Sequence, residues 1–435
     1  MTQSKETFVI QGLAGQRTLI GSIAVHGAKN AALKAMAAAV LFDGPVALEN
    51  IPDNADVGVM GEVLSKLGAT VQRTSAHSYT IDPTSIATTD IDATLAQNMR
   101  SSVVLTGPLL ARFKKMSFPA PGGCVIGTRP IDLFIEGYKK MGATVNIVND
   151  ATYDISVATG VASTEIFFNI QSVGGTETLM MAAVLASGTT TLRNCAMEPE
   201  IVNVAEWLIA AGADIQGAGT TTITIKGTAG KLLDSKIPYR AIPDRIEAAS
   251  FLILGALCAK EMTIEHCEPR HMEAVIHLLK ESGVDMKIGT DSITVQGVSH
   301  PKPFNVRTHE YPGFPTDIQS PIVTYLTQAE GESTIFETIF EGRFKYTEDL
   351  TKMGASVIMM NPREILIKGP TPLRQPSEKD ELRAHDIRAG FAVVLAALIG
   401  KGTFTIHNIH LIDRGYEKLE ERLSKLGVDI KRVRV

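Results

Sequence analysis

Residues Pro121 to Pro130 read PGGCVIGTRP, a run in which two glycines lead into Cys124 and Arg129 follows five positions later. The run is not apolar enough for a core strand and not periodic enough for a helix, so it reads as a loop. A backbone this bare either wraps a ligand closely or simply turns a corner. Its one thiol and one guanidinium are the kind of groups that donate a proton and hold an anion.

Other stretches carry charge where packing does not ask for it. HGAKNAALK sets Lys29 and Asn30 at the start of an apolar helix. A lysine there opposes the helix dipole. It is either a solvated charge at a chain crossover or one that shares an anion with the helix N–H groups. PGFPTDIQSP puts Asp317 at a second helix start, which suits an N-terminal cap. AHDIRAG repeats the pattern with Asp386 and Arg388, and IPDRIEA with Asp244 and Arg245. Arg414 opens an amphipathic helix in IDRGYEKLEE, Arg100 heads the apolar run of NMRSSVVLTGPLL, and FEGRF offers Arg343. Singly these are caps and surface charges. Together Lys29, Arg100, Arg129, Arg343, Arg388 and Arg414 put cations at the same end of many units. In a chain of net charge −5, that bias points to a site for a small polyanion.

The elements that must position these residues are legible as a repeat. KLGATVQRTSAHSYTI at Lys66 recurs as KMGATVNIVNDATYDISV, AAGADIQGAGTTTITIKG, ESGVDMKIGTDSITVQG, KMGASVIMMNPREILIKG and KLGVDIKRVRV. Gly68, Gly142, Gly212, Gly283, Gly354 and Gly427 mark the same point in each copy. Each follows an amphipathic run and fits a left-handed helix cap, with a strand or hairpin after it. Upstream lies an apolar helix and a short strand, as in GFAVVLAALIGKGTFTIHN. The unit is therefore helix, strand, helix, strand, strand. Six units predict two domains of three in an α/β chain, with nearly all-apolar helices inside and sheets and amphipathic helices outside.

The N-terminal TFVIQGLAGQRTLIGSIAVHGAKN does not complete a unit and is expected to lend strands to the last repeats. That gives an N-terminal domain over 29–242 and a discontinuous C-terminal domain over 1–28 and 243–435. Two connections between domains make a hinge, and the cleft between domains is the expected ligand site.

Bulk properties agree with a soluble globular protein: 435 residues, 44% hydrophobic and 20% charged. The charge gives no basic field for RNA or DNA. No basic segment followed by an apolar one opens the chain, and GFAVVLAALIG is too short to span a bilayer, so a cytoplasmic location without membrane attachment is expected. Cys195, Cys258 and Cys267 read as small core residues, and no CxxC pair or other ligand set suggests zinc.

GAKNAAL, PGGCVIGTRPIDL, SVGGTETLMMAA, EPEIV, PDRIEA, PGFPTDIQ and DRGYEKLEE, in this order and over essentially the whole chain, resemble the UDP-N-acetylglucosamine enolpyruvyl transferases of the EPSP synthase family. The resemblance implies a two-domain inside-out α/β barrel of six such repeats. It implies transfer of the enolpyruvyl group of phosphoenolpyruvate to the 3-hydroxyl of UDP-N-acetylglucosamine, with loss of phosphate, at the start of peptidoglycan synthesis and hence of cell-wall biogenesis, cell shape and division. By resemblance Cys124 is the lid thiol, a general acid or an aid to product release, and the target of the epoxide fosfomycin. Asp317 matches the base toward the sugar hydroxyl. Lys29, Arg129, Arg343, Arg388 and Arg414 match the cluster around phosphate and carboxylate. Asn30, Arg100, Pro130, Asp132, Leu133, Ser172, Gly174 and Ile339 match further substrate contacts. A monomer with no metal or organic cofactor is implied.

The chain departs from the family pattern at Phe134 and Ile170, where histidine and lysine are usual toward the uridine diphosphate, at Lys34, where a proline at the entry to a helix is common, and at Gly342, often asparagine. The same transfer to another nucleotide sugar or to shikimate 3-phosphate is the near alternative, although the shikimate enzymes lack such a cysteine loop. An RNA 3′-end cyclase, built from related repeats, would need a basic surface and an adenylation histidine, and the ten histidines form no such motif.

Overall fold

The computed structural model describes residues 6–119, 131–149, 152–377 and 379–434. Cys124, Arg129 and Pro130 lie outside the described residues. The chain divides into two compact units, one running from Gly27 to Ile242, the other made of the N-terminal stretch to His26 together with Pro243 onward.

Six inner helices carry the apolar runs: α1 (Lys29–Ala38), α2 (Thr106–Phe113), α3 (Val173–Val184), α4 (Arg245–Cys258), α5 (Gln319–Leu326) and α6 (Ile387–Ile399). Their side chains are buried nearly all round, as a helix without a polar face requires. Side-chain caps start three of them. Ser172 Oγ accepts from Gly175 N at 3.1 Å, Asp244 Oδ1 from Ile246 N and Glu247 N at 2.9 and 3.0 Å, and Asp386 Oδ1 from Arg388 N and Ala389 N at 2.8 and 2.9 Å. Each such cap is worth ~1 kcal/mol.

In the 243–434 unit α4, α5 and α6 pack on one another, with Phe251 edge-on to Phe391 at 6.1 Å and Phe391 stacked on Tyr416 at 4.8 Å. In the 27–242 unit α2 lies so close to α3 that a Cβ on Gly107 would sit 2.2 Å from Thr178 O. Arg100 does not head an α-helix. Arg100–Leu105 is a 3-10 turn, and the α-helix begins at Thr106. Pro108 has no N–H to offer the carbonyl of Val104, so the α-ladder does not extend back to Arg100.

Outside each inner helix comes a strand, an amphipathic helix and a hairpin. The amphipathic helices are Ala55–Leu67, Asp132–Lys140, Pro199–Ala210, Glu273–Glu281, Thr347–Lys352 and Leu419–Lys425. The six marker glycines have φ between +84° and +108°, the left-handed region expected of them. The described strands form six sheets, three in each unit. The sixth hairpin is completed from the far end of the chain. Strand Glu6–Gln11 lies antiparallel between Thr403–His407 and Ile430–Arg434, with Phe8 opposite Ile406 and Arg432. Strand Leu19–Ala24 pairs parallel with Ala259–Glu265, so it joins the fourth repeat rather than the last ones.

Candidate active site

In the 243–434 unit three of the residues singled out by sequence converge. Asp317 stands in the turn Thr316–Ile318 that leads into α5, Arg388 in the first turn of α6, and Arg343 in the loop after strand Gly331–Phe336. Arg343 Nη2 donates to Asp317 Oδ1 at 2.8 Å, and its Nη1 donates to Thr316 Oγ1 at 2.6 Å. Arg388 Nε lies 3.7 Å from the other carboxylate oxygen, Oδ2. Asp317 thus sits between two guanidinium groups, its side chain 31% exposed while those of Arg343 and Arg388 are 3% and 4% exposed. Burial works against the charge of Arg343, but Asp317 and Asp386 more than offset it and hold its pKa above the ordinary value. Arg388 also ends above its ordinary value, with burial outweighed by Tyr416, Asp317 and Asp244.

Arg388 lies over the Tyr416 ring, 5.2 Å from its centroid. Tyr416 is fixed in turn by Ser250 Oγ at 2.8 Å. Arg388 Nη1 is buried and finds no acceptor among the described residues. A buried guanidinium with a spare donor is suited to an anionic ligand. Arg414 stands two residues before Tyr416, and Gly415 between them lets the chain pass close to the start of α6: a Cβ there would be 2.4 Å from Ile387 Cγ2. Ile339 donates its backbone N–H to Glu337 Oε1 at 2.8 Å.

In the 27–242 unit Lys29 is the first residue of α1, and its Nζ donates to the buried Asp56 Oδ2 at 3.1 Å. That carboxylate offsets the unfavourable place of a lysine at a helix N-terminus. Asn30 follows it, and α1 packs against the Arg100–Leu105 turn. Asp132 and Leu133 open the helix Asp132–Lys140, where the Asp132 carboxylate complements the dipole. Ser172 and Gly174 form the start of α3. Phe134 is buried with its ring against Gly174, Cζ 3.4 Å from where a Cβ would lie, whereas Ile170 is exposed.

Lys34 does not sit at the helix start. It is buried in the middle of α1, with Nζ 3.2 Å from Glu177 Oε2 in α3, an ion pair rather than an aligned hydrogen bond. Burial pushes the Glu177 carboxyl up to about 7, against the pull of Lys34, with Glu200 and Glu198 adding to the rise. Cys195, Cys258 and Cys267 are buried, their thiols pushed up by burial to about 11, 12 and 11, which makes them poor nucleophiles.

Sequence reading missed Glu337, Thr316, Asp56 and Glu177. Glu337 and Asp56 fall at the end of a strand and inside an amphipathic helix, where an acidic residue is ordinary. Glu177 stands inside the SVGGTETLMMAA motif, and a glutamate in the middle of so apolar a helix was the one available signal.

The six-repeat fold is that of an enolpyruvyl transferase, and the chain belongs to the EPSP synthase (3-phosphoshikimate 1-carboxyvinyltransferase) family, whose profile matches residues 13–423. Within that family it is similar to the protein named UDP-N-acetylglucosamine 1-carboxyvinyltransferase in Koribacter versatilis (strain Ellin345), 42% identical over 98% of this chain and 96% of that one. It is also similar to UDP-N-acetylglucosamine 1-carboxyvinyltransferase 2 of Listeria monocytogenes serovar 1/2a, 40% identical over 97% of each. The crystal structure of the enolpyruvyl transferase NikO from Streptomyces tendae superposes with a TM-score of 0.87, at 25% identity, over 99% of this chain and 100% of that one. EPSP synthase from Acinetobacter baumannii, at 18% identity over 98% of this chain and 100% of that one, has the same fold with a TM-score of 0.72. The inside-out two-domain α/β architecture expected from the repeat is therefore the architecture of this chain's structural relatives.

Proposed function

We infer that this chain transfers the enolpyruvyl group of phosphoenolpyruvate to the 3-hydroxyl of UDP-N-acetylglucosamine and releases phosphate, the first committed step of peptidoglycan synthesis. The observation that carries the reading is the near-full-length likeness to proteins of that name. The Arg343–Asp317–Arg388 constellation supplies chemistry of the right kind.

The reaction adds a proton to the methylene carbon of the donor and forms a bond between the sugar oxygen and the neighbouring carbon. The hydroxyl proton must leave as that bond forms. A tetrahedral ketal bearing phosphate and carboxylate results. Breaking its bond to phosphate and losing a proton from the methyl group restore the double bond in the product. On this reading Asp317 takes the hydroxyl proton. Its side chain is partly exposed, and the two guanidinium groups fix its orientation. Lys29, Arg129, Arg343, Arg388 and Arg414 are assigned to the phosphate and carboxylate of the donor, where charge-assisted contacts strengthen as the ketal forms. Cys124 is assigned the proton given to the methylene carbon or the escort of product. A glycine-framed loop suits a lid that closes over a ligand. Asn30, Arg100, Pro130, Asp132, Leu133, Ser172, Gly174 and Ile339 are assigned to the acceptor.

The domains of 29–242 and of 1–28 with 243–435 belong to the same reading, as do a cytoplasmic location and a monomer. Among the described residues no helix is long and apolar enough to cross a membrane.

Phosphate release measured with both substrates present, and with each alone, tests the assignment. Release that needs both upholds it. Release with shikimate 3-phosphate but not with UDP-N-acetylglucosamine overturns the acceptor, and a panel of nucleotide sugars reads the effect of Phe134 and Ile170.

A further inference from the structure

Glu337 lies just past strand Gly331–Phe336 with no surface exposed, and no substrate role falls to it. A buried carboxylate is costly unless its lone pairs are met. Here four donors meet them. Oε1 accepts from Thr308 Oγ1 at 3.0 Å, Ile339 N at 2.8 Å and Phe340 N at 3.1 Å, and Oε2 accepts from Thr316 Oγ1 at 2.8 Å. The hydroxyl of Thr316 spends its proton on Glu337 and so presents its lone pairs to Arg343 Nη1, 2.6 Å away. Arg343 then reaches Asp317 with its other nitrogen.

We propose that Glu337 is a positioning residue for the transfer: it sets the polarity of the Thr316 hydroxyl, and through it the place of Arg343 beside Asp317, while its other oxygen pins the Ile339 turn. This rests on the function inferred above. On either side of the Thr316 hydroxyl stand a carboxylate that can only accept, Glu337, and a guanidinium that can only donate, Arg343. A hydroxyl donates or accepts as its surroundings dictate, and the anion fixes which. The loop at 337–343 and the turn at 316–318 belong to different elements, and Glu337, 21 positions from Thr316, is bonded to both.

The variants are E337Q, T316V, T316S and the double variant E337Q/T316V, assayed for phosphate release at saturating and limiting substrate. E337Q turns one oxygen into an N–H₂ donor facing a hydroxyl that already donates. It should lower kcat about ten-fold or more and raise KM for the nucleotide sugar, because the Ile339 turn is loosened. T316V should lower kcat by a similar factor and leave that KM within about two-fold, since the Ile339 contact is intact. T316S should stay near wild type. The double variant should have a kcat no lower than the worse single one, as expected of groups acting in series.

Charged groups around Asp317 also allow a pH readout. Arg343 and Arg388 face it, and Asp386 and Glu337 act on Arg343. With Arg343 displaced, the carboxylate loses a cation, so the acidic limb of kcat should move to higher pH in E337Q and T316V. Unchanged kcat, KM and pH profile in folded E337Q would overturn the proposal, as would losses that multiply in the double variant. If E337Q does not fold, equal kcat for T316V and T316S overturns it. Wild-type enzyme in the same assay separates the two readings: its inactivity sinks the proposed function, whereas active wild type with unaffected variants sinks only the role of Glu337.

Discussion

Arg343 and Asp317, 26 positions apart, meet through a 2.8 Å bond in which the arginine is buried and the carboxylate keeps an edge toward solvent. The buried partner fixes the exposed one. A free surface carboxylate would sample several rotamers, whereas this one is held by the two groups that also answer its charge.

Replacing that carboxylate should separate binding from chemistry. D317N keeps shape but cannot take a proton, and should lower kcat by about 100-fold or more. KM for phosphoenolpyruvate should change much less. Steady-state phosphate release checks this, and a kcat within a few-fold of wild type would remove Asp317 as the base.

The buried guanidinium of Arg388 makes a different demand. Its charge is held by Asp317 and Tyr416, while Nη1 is left for a ligand. R388K supplies a point charge without the planar fork. It should raise KM for phosphoenolpyruvate about ten-fold, on the order of 1.4 kcal/mol. Donor titration in the presence of the acceptor is the measurement.

Cys124 carries the lid chemistry in the proposed function. C124A should slow turnover strongly. C124D retains an acidic proton, so it should keep some turnover and escape alkylation by fosfomycin. Intact-mass measurement after exposure to the epoxide reads the second outcome, and an adduct on C124D at this loop would dismiss the thiol as the reactive group.

The buried pair Lys34–Glu177 makes stability depend on pH. The folded-state pKa of Glu177, about 7, lies above its ordinary 4.5, so the native state binds this proton more tightly than the unfolded chain does. Its stabilising contribution is complete below about pH 4.5 and is lost as pH rises through about 7, on the order of 3 kcal/mol at full effect. E177Q mimics the protonated form and should flatten the fall in Tm between pH 5 and 8. Thermal melts across that range check it, and a slope equal to wild type would exclude Glu177 as its source.

The repeat itself was readable along the chain because each of its signals is local. A left-handed glycine after an amphipathic run, an apolar helix with Asp244 or Asp386 as its cap, and alternating strands all depend on neighbours within a few positions. The cations of Arg343 and Arg388 and the carboxylate of Asp317 could be picked out for the same reason, as charges at the ends of recognisable elements. Pairing over long sequence distances was readable only in outline: the N-terminal stretch was expected beside the last repeats, where Glu6–Gln11 lies, but Leu19–Ala24 joins the fourth. Strand Glu6–Gln11 needs a partner more than 400 positions away at Ile430–Arg434, and no local pattern names the register. Lys34 looked like a helix-start substitution until α3 brought Glu177 against it. Glu337 looked like one more acidic residue after a strand until folding surrounded it with four donors. Hydrogen-bond satisfaction and burial belong to the packed chain and have no counterpart in a linear one, so the residues that hold the site in place emerged only when its elements came together.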